Sequence, residues 1–217
     1  MSKKNIPVKP NETYTLTIRD LGIHGEGIGA VDDFTVFVPG ALPGETIQAM
    51  IVTAKKSYAT GRLISIEVPS AHRTTPSCPV YHACGGCQIS HLTYEGQLAV
   101  KERRVKDVMV RIGGCEESLV RPIIGAQHPW NYRNKMAVPV SQVTSGPVLG
   151  YYRQGSHQVI PIASCAIQEE ENNRLLRFAQ GFMTRHQLTG YNEKTGRGSV
   201  RHIMGRVGDH GEVMAVI

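Results

Sequence analysis

With 217 residues, 41% of them hydrophobic and 19% charged, the chain has apolar material for one large domain or two small ones and needs no disulfide staples. Twenty-four Lys and Arg against 18 Asp and Glu leave a net charge of +6, which admits a polyanionic partner without requiring one. Aromatic residues at 6% argue against a dedicated single-strand stacking platform, and no apolar run approaches the length of a bilayer span, so a soluble, cytoplasmic monomer without a membrane partner is expected.

Residues 1–10 are basic and contain proline, and are expected to form a flexible arm. Alternating apolar runs follow at 14–18 and 34–38, then a largely apolar run at 46–52 and another at 61–66. Turn clusters at Asp32-Asp33, Pro39-Gly40, Pro43-Gly44 and around Ser57 separate them. About five short strands in under seventy residues predict a small β-barrel of the oligonucleotide-binding type over 11–69. Gly22, Gly25, Gly27 and Gly29 lie inside it. A dinucleotide fingerprint would open a helix there, whereas the pattern continues as strand and hairpin, so bulges or close backbone approach in a curved barrel explain the glycines better. Lys55-Lys56-Ser57-Tyr58 falls at a loop tip with Arg62 just beyond, a set that suits either phosphate contact or simple solvation.

Residues 69–76 form a polar connection and the expected domain boundary, so the second domain is placed at 77–217. It opens on Cys78-x5-Cys84-Gly-Gly-Cys87, and a fourth cysteine, Cys165, stands far downstream. A cubane takes one thiolate per iron, so three from a tight loop and one remote thiolate suit it. Structural zinc sites usually pair two short Cys-x-x-Cys knuckles, and only Cys84 and Cys87 have that spacing. Gly85 and Gly86 are expected to let backbone amides approach a cluster and to supply positive φ. Spacing alone leaves iron-sulfur, zinc and free or redox thiols open. The odd count of five cysteines and the lack of a signal peptide argue against a disulfide framework, and Cys115 reads as a spare thiol.

An amphipathic helix is predicted at 93–112, with Tyr94, Leu98, Val105, Val108, Met109 and Ile112 near one face and a basic stripe of Lys101, Arg103, Arg104, Lys106 and Arg111 on the other. Gly113-Gly114 stops it. Strands are predicted at 135–140, 148–152 and 158–162, with Cys165 directly after the last. A second helix is predicted at 168–186, its three consecutive glutamates at the N-terminal dipole end. A hairpin closes the chain, with strands at 199–207 and from 212 onward. Residues 212–217 read as a buried strand that stops without a polar fringe, which suggests the N-terminal portion of a longer protein.

Six segments carry a family resemblance: Phe37-Val-Pro-Gly-Ala-Leu-Pro-Gly-Glu45 with Lys55-Lys56-Ser57-Tyr58; Cys78-Pro-Val-Tyr-His-Ala-Cys-Gly-Gly-Cys-Gln88 with His91-Leu-Thr-Tyr-Glu-Gly-Gln-Leu98; Tyr132-Arg-Asn-Lys135; and Gly150-Tyr-Tyr-Arg153. With Cys165, they resemble the bacterial RNA (uracil-5-)-methyltransferases, S-adenosylmethionine-dependent enzymes that make 5-methyluridine in ribosomal and transfer RNA. The resemblance implies a TRAM domain in the first seventy residues and a 4Fe-4S cluster on Cys78, Cys84, Cys87 and Cys165. It also implies an RNA partner, 23S rRNA by its closeness to the rRNA branch. Lys55, Lys56, Arg62, Arg133, Lys135 and Arg153 are the candidate RNA contacts, although Arg133 and Lys135 suit equally a strand-edge pair that covers the cluster.

The family adds a cysteine thiolate to uracil carbon 6, methylates carbon 5 and removes its proton with a base. The residues for this chemistry, and the S-adenosylmethionine site, are expected beyond residue 217, so no catalytic residue is assigned and Cys115 is not promoted to nucleophile. The implied fold class is β-rich α+β: a five-stranded OB-like barrel, then an α+β iron-sulfur and RNA-recognition domain truncated at its C-terminus, with the catalytic Rossmann-like domain absent. The expected function is the substrate-recognition half of an rRNA uridine methyltransferase, inactive alone. The alternatives are a stand-alone RNA-binding module with a structural four-cysteine metal site, and a redox-sensing iron-sulfur protein.

Overall fold

Period-two alternation of β-branched and aliphatic residues builds the first set of strands: β1 (Thr13–Thr17), β2 (Asp20–Leu21), β3 (Gly27–Val31), β4 (Phe34–Val38), β5 (Thr46–Ala54) and β6 (Tyr58–Val68). The computed structural model describes residues 6–217. By mutual contact the chain divides into Met1–Thr75 with Gln88–Ile124, and Pro76–Cys87 with Gly125–Ile217.

In the first unit the strand order is β1-β5-β6-β4-β3-β2, antiparallel except for the β4–β6 pair. The sheet has six strands, not the five expected. The four apolar runs correspond to β1, β4, β5 and β6, whereas the two-residue β2 and the glycine-rich β3, with only Ile28 and Val31 as large apolar residues, have no run of their own. Just past β1, the Arg19 N–H donates to Ile28 O at 2.8 Å, so the sheet curls back on itself. Leu16, Val36, Val38, Ile47, Ala49, Ile51 and Ala59 alternate inward and are fully buried, and Val8 joins them, so the described part of residues 1–10 is anchored from Val8 onward. A Cβ at Gly27 would fall 2.8 Å from Ala41 O, which is why β3 carries glycine at this position.

Helix α1 (Tyr94–Arg111) lies within one residue of its predicted ends, and the Thr93 hydroxyl caps it by accepting from Gly96 N–H at 3.2 Å. Its expected apolar face is not a core face: Val105, Val108, Met109 and Ile112 are all exposed, and Gly96 is its one buried residue. Periodicity marks a face that water disfavours and is silent about what covers it. The basic stripe is partly neutralised, since Asp107 pairs with Arg103 and Arg111, and Glu102 with Lys106.

The second unit contains β7 (Lys135–Val143), β8 (Gly146–Tyr152), β9 (Val159–Pro161), α2 (Glu170–Arg185), β10 (His202–Val207) and β11 (Val213–Val216). They form an antiparallel sheet in the order β11-β10-β7-β8-β9. Leu176, Ala179 and Met183 of α2 pack on Met136, Val138, Val140, Leu149 and Ile203 of the sheet. The closing strand, expected to be buried, is instead an edge strand whose four residues are all exposed, because only β10 flanks it. Among the described residues, no helix is long and apolar enough to cross a membrane.

Candidate functional site

Residues 76–87 fold as successive tight turns: Tyr81 N–H donates to Cys78 O at 3.2 Å, and Ala83 and Cys84 N–H both donate to Val80 O, at 3.0 and 2.8 Å. The loop is then pinned to the end of β8, where Gly85 N–H donates to Tyr152 O at 2.9 Å and Cys84 bridges to Arg153. A Cβ at Gly85 would meet Tyr152 O and the Gln154 backbone at 3.0 Å, so this residue is glycine for close approach. Neither Gly85 nor Gly86 has positive φ, which corrects that part of the expectation. Gly86 N–H instead points at Cys84 Sγ, 3.4 Å away.

Cys165 approaches from the other side of this unit, in the segment between β9 and α2. The side chain of Asn173, buried in the first turn of α2, holds its backbone from both ends. Its Oδ1 accepts from Cys165 N–H at 2.8 Å and its Nδ2 donates to Cys165 O at 3.3 Å. Gln168, also buried, donates through Nε2 to Lys135 O at 3.2 Å and to the Tyr151 hydroxyl at 2.9 Å, and its Oε1 accepts from Asn172. These amides fix the chain on both sides of Cys165, and Asn172 Oδ1 is left as a buried acceptor with no hydrogen-bond partner among the described residues.

Cys78, Cys84, Cys87 and Cys165 are all half-buried free thiols. Burial pushes the Cys84 thiol up, and the charges of Cys87 and Cys78 push it further, against the opposing Gly86 N–H. Cys165 is raised chiefly by burial, against the Ile167 amide, and Cys87 and Cys78 also act on it. Tyr151 is pushed up to about 12 by burial and by Cys165, with Cys84 adding to this, while Gln168 and the Arg133 guanidinium pull it back. Cys78 and Cys87 thus act electrostatically on both Cys84 and Cys165, and Tyr151 feels Cys165, Cys84 and Arg133. No three His, Cys, Asp or Glu side chains among the described residues are grouped as a site for a single metal ion. Cys115 lies in the other unit.

The predicted RNA-contacting cations divide between the units. Lys55 and Lys56 are exposed at the β5–β6 turn, which closes through Lys55 N–H to Tyr58 O at 2.8 Å, and Arg62 is exposed on β6. Tyr58, exposed beside them, sits edge-on to Phe37 at 5.6 Å. In the second unit Arg133, Lys135 and Arg153 are all exposed. Arg133 pairs its backbone with Ile167 and Glu169, Lys135 starts β7 opposite Arg206, and Arg153 borders Cys84. Arg133 and Arg153 therefore adjoin the cysteine loop or its fourth partner, and Lys135 is tied to them through Gln168.

Asn172, Asn173 and Gln168 were not foreseen as parts of this site. A signal was present: the apolar stripe of Leu176, Ala179 and Met183, extended one turn back, lands on Asn172 and Asn173 and so places two amides inward.

The TRAM domain family matches residues 7–64. Over 216 residues the chain is 44% identical to an uncharacterized RNA methyltransferase of Bacillus cereus, covering 99% of this chain and 47% of the relative. A second, from Halalkalibacterium halodurans, is 41% identical over 218 residues, covering 100% and 48%. Among solved structures, the Pyrococcus abyssi tRNA (uracil-54, C5)-methyltransferase in complex with S-adenosyl-L-homocysteine matches 93% of this chain and 44% of its own, at a TM-score of 0.68 and 22% identity, a likeness of fold. The chain thus spans about half the length of the curated relatives it matches.

These matches correct the expectation of an inactive fragment defined by a missing Rossmann-like domain. RNA methyltransferases align with nearly every residue of the chain. The chain contains a TRAM domain and is related along nearly its whole length to RNA methyltransferases.

Proposed function

We propose that this chain serves S-adenosylmethionine-dependent methylation of RNA, with carbon 5 of a uracil as the target. The observation that carries the reading is the alignment of RNA methyltransferases with 99% of the chain, together with a TRAM domain. The fold neighbour, whose name gives uracil C5 as its target and which holds S-adenosyl-L-homocysteine, is in keeping with it. Lys55, Lys56 and Arg62 in the first unit, and Arg133, Lys135 and Arg153 in the second, contact the RNA backbone. Each is an exposed cation able to meet a phosphate. No described residue is assigned to S-adenosylmethionine.

Cys78, Cys84, Cys87 and Cys165 would hold a 4Fe-4S cluster, four half-buried thiols being the donor number and kind that it takes. A cubane asks each thiolate to meet its own iron, so the four need not converge on one point. Ligation by these four thiols would tie residues 76–87 to the entry of α2. Asn173 keeps Cys165 in position, and Gly86 N–H hydrogen-bonds the Cys84 sulfur.

Disrupting the gene that encodes this chain, followed by nucleoside mass spectrometry on separated tRNA and rRNA, tests the reading. One fraction should lose a methylated uridine, and that fraction identifies the RNA. Unchanged methyl-nucleoside content in both fractions refutes the proposal.

A further inference from the structure

Aromatic residues are scarce in this chain, but an average hides where they gather. In the second unit a groove of about 460 Å³ lies between the turn after β8 and the loop before β10, within the range of small-ligand clefts, about 300–1,000 Å³. Tyr152 lines one side, stacked on His157 with ring centroids 5.2 Å apart and planes at 25°. Tyr191 lines the other, with the Arg201 guanidinium 5.3 Å over its ring. Val140 and Val159 contribute apolar lining.

The two sides are joined by Glu193, which pairs with His157 Nδ1 at 2.7 Å and with Arg201 Nη2 at 3.8 Å. That carboxyl is held below its ordinary value first by the His157 hydrogen bond and then by the charges of His157 and Arg201. The loop carrying it is itself ordered: Asn192 Oδ1 accepts from Lys194 and Thr195 N–H at 2.9 and 3.1 Å, and Asn192 N–H donates to Arg197 O at 2.7 Å. Preformed aromatic walls with cations at the rim match a ligand that is flat and π-faced in one part and anionic in the next. An unpaired nucleotide has that form. An acidic peptide would use the cations and leave the rings without a purpose.

We propose that this groove is a subsite for one unpaired nucleotide of single-stranded RNA, its base stacked on the lining rings of Tyr152 and Tyr191 and its phosphate met by Arg201 and Lys194. The subsite rests on the reading of RNA as the partner. Stacking on aromatic side chains is tolerant of base identity, so the groove grips a splayed nucleotide without selecting it.

The test is fluorescence anisotropy of a fluorescein-labelled 12-nucleotide single-stranded RNA of mixed sequence, titrated with the intact chain from 50 to 200 mM salt. Tyr152→Leu and Tyr191→Leu should each weaken binding about 5- to 150-fold, the range that loss of one stacked base converts to. Tyr152→Phe and Tyr191→Phe should stay within about twofold of the unmodified chain. Arg201→Gln or Lys194→Gln should lower the slope of log affinity against log salt by about 0.7 each. Ultraviolet cross-linking of the unmodified chain should place RNA on a peptide containing Tyr152 or Tyr191, and this readout decides the matter should a leucine variant fail to fold. Leucine variants that bind like the unmodified chain, or cross-links confined to residues 7–64, overturn the subsite while leaving RNA as the partner. No binding by the unmodified chain at 50 mM salt overturns the RNA reading, and the subsite with it.

Discussion

Glu45 is the most consequential buried charge in the TRAM domain, and Arg73→Met is the substitution that exposes its role. The Glu45 carboxylate is fully buried and accepts from Arg73 Nε and, at 2.8 Å, from Nη2. It also accepts from Leu42 N–H at 2.8 Å and Ser70 N–H at 3.3 Å. Removing one partner of a buried ion pair costs about 3–5 kcal/mol. The two amides remain and Arg73 is half-exposed, which favours the lower end. Loss of the 2.7 Å bond from Arg73 Nη2 to Gly40 O adds about 1 kcal/mol, for a total near 3–4 kcal/mol. In urea this moves the unfolding midpoint by about 1–4 M, read by hydrogen exchange of peptides from residues 34–68 so that only this unit is reported.

The pH dependence follows from the same geometry. Burial pushes the Glu45 carboxyl up, but the Arg73 hydrogen bonds and the two backbone amides together hold it below its ordinary value. Its contribution is therefore present above the unfolded carboxyl pKa and lost as pH falls through the lower, folded one. In the variant, burial dominates and the folded carboxyl takes up a proton instead. The gap between the two proteins should thus be widest near neutrality and narrow toward pH 4. A loss under about 1 kcal/mol at pH 7, or one equal at pH 4 and pH 7, would refute the account.

Three further outcomes are expected. After anaerobic purification the chain should carry about four iron and four acid-labile sulfide, and Cys165→Ser should sharply lower both; unchanged iron would remove Cys165 from the ligand set, and one zinc per chain would favour the structural zinc alternative. Gly85→Ala should weaken metal retention and cost about 1–3 kcal/mol of stability, because its Cβ meets backbone at 3.0 Å. Gly86→Ala, whose Cβ meets only Cys84 Sγ at 3.4 Å, should do less in the same chelator challenge, and the reverse order would count against the pinning role of Gly85. The double variant Lys55→Gln, Lys56→Gln should lower the slope of log RNA affinity against log salt by about 1.4, whereas an unchanged slope would mean that these lysines touch no phosphate.

The barrel strands and the ends of α1 were legible because each is marked by a local rule: alternation at 14–18 and 34–38, and the capping Thr93 before Tyr94. β3 was less so, since Gly27-Ile28-Gly29-Ala30 is shaped by close approach of Ala41 and Thr17, contacts that no local window contains. Arg73 read as part of a polar linker, yet it reaches back 28 positions to Glu45. The four cysteines were legible as a set because thiols are rare and their spacing is constrained by what they bind. The amides around Cys165 were not, because Asn172 and Asn173 follow a run of glutamates and only the turn of α2 carries them inward. Exposure of the apolar residues of α1 and β11 was missed for a common reason: hydrophobicity predicts a preference for burial, and only the fold decides whether a neighbour is there.

The way the chain passes between its two units limits how it can be divided. It leaves the first unit after Thr75, returns after Cys87 and leaves again after Ile124. A single cut at the first crossing separates 1–75 from the α1 segment that belongs with it, one at the second splits both units, and one at the third strands the three near cysteines away from Cys165. No single backbone break therefore yields two whole parts. A barrel excised at the TRAM boundary, or a metal-binding part begun at residue 125, would each be incomplete by construction of the chain itself. The halves of the cysteine set meet only in a polypeptide that makes the full round trip.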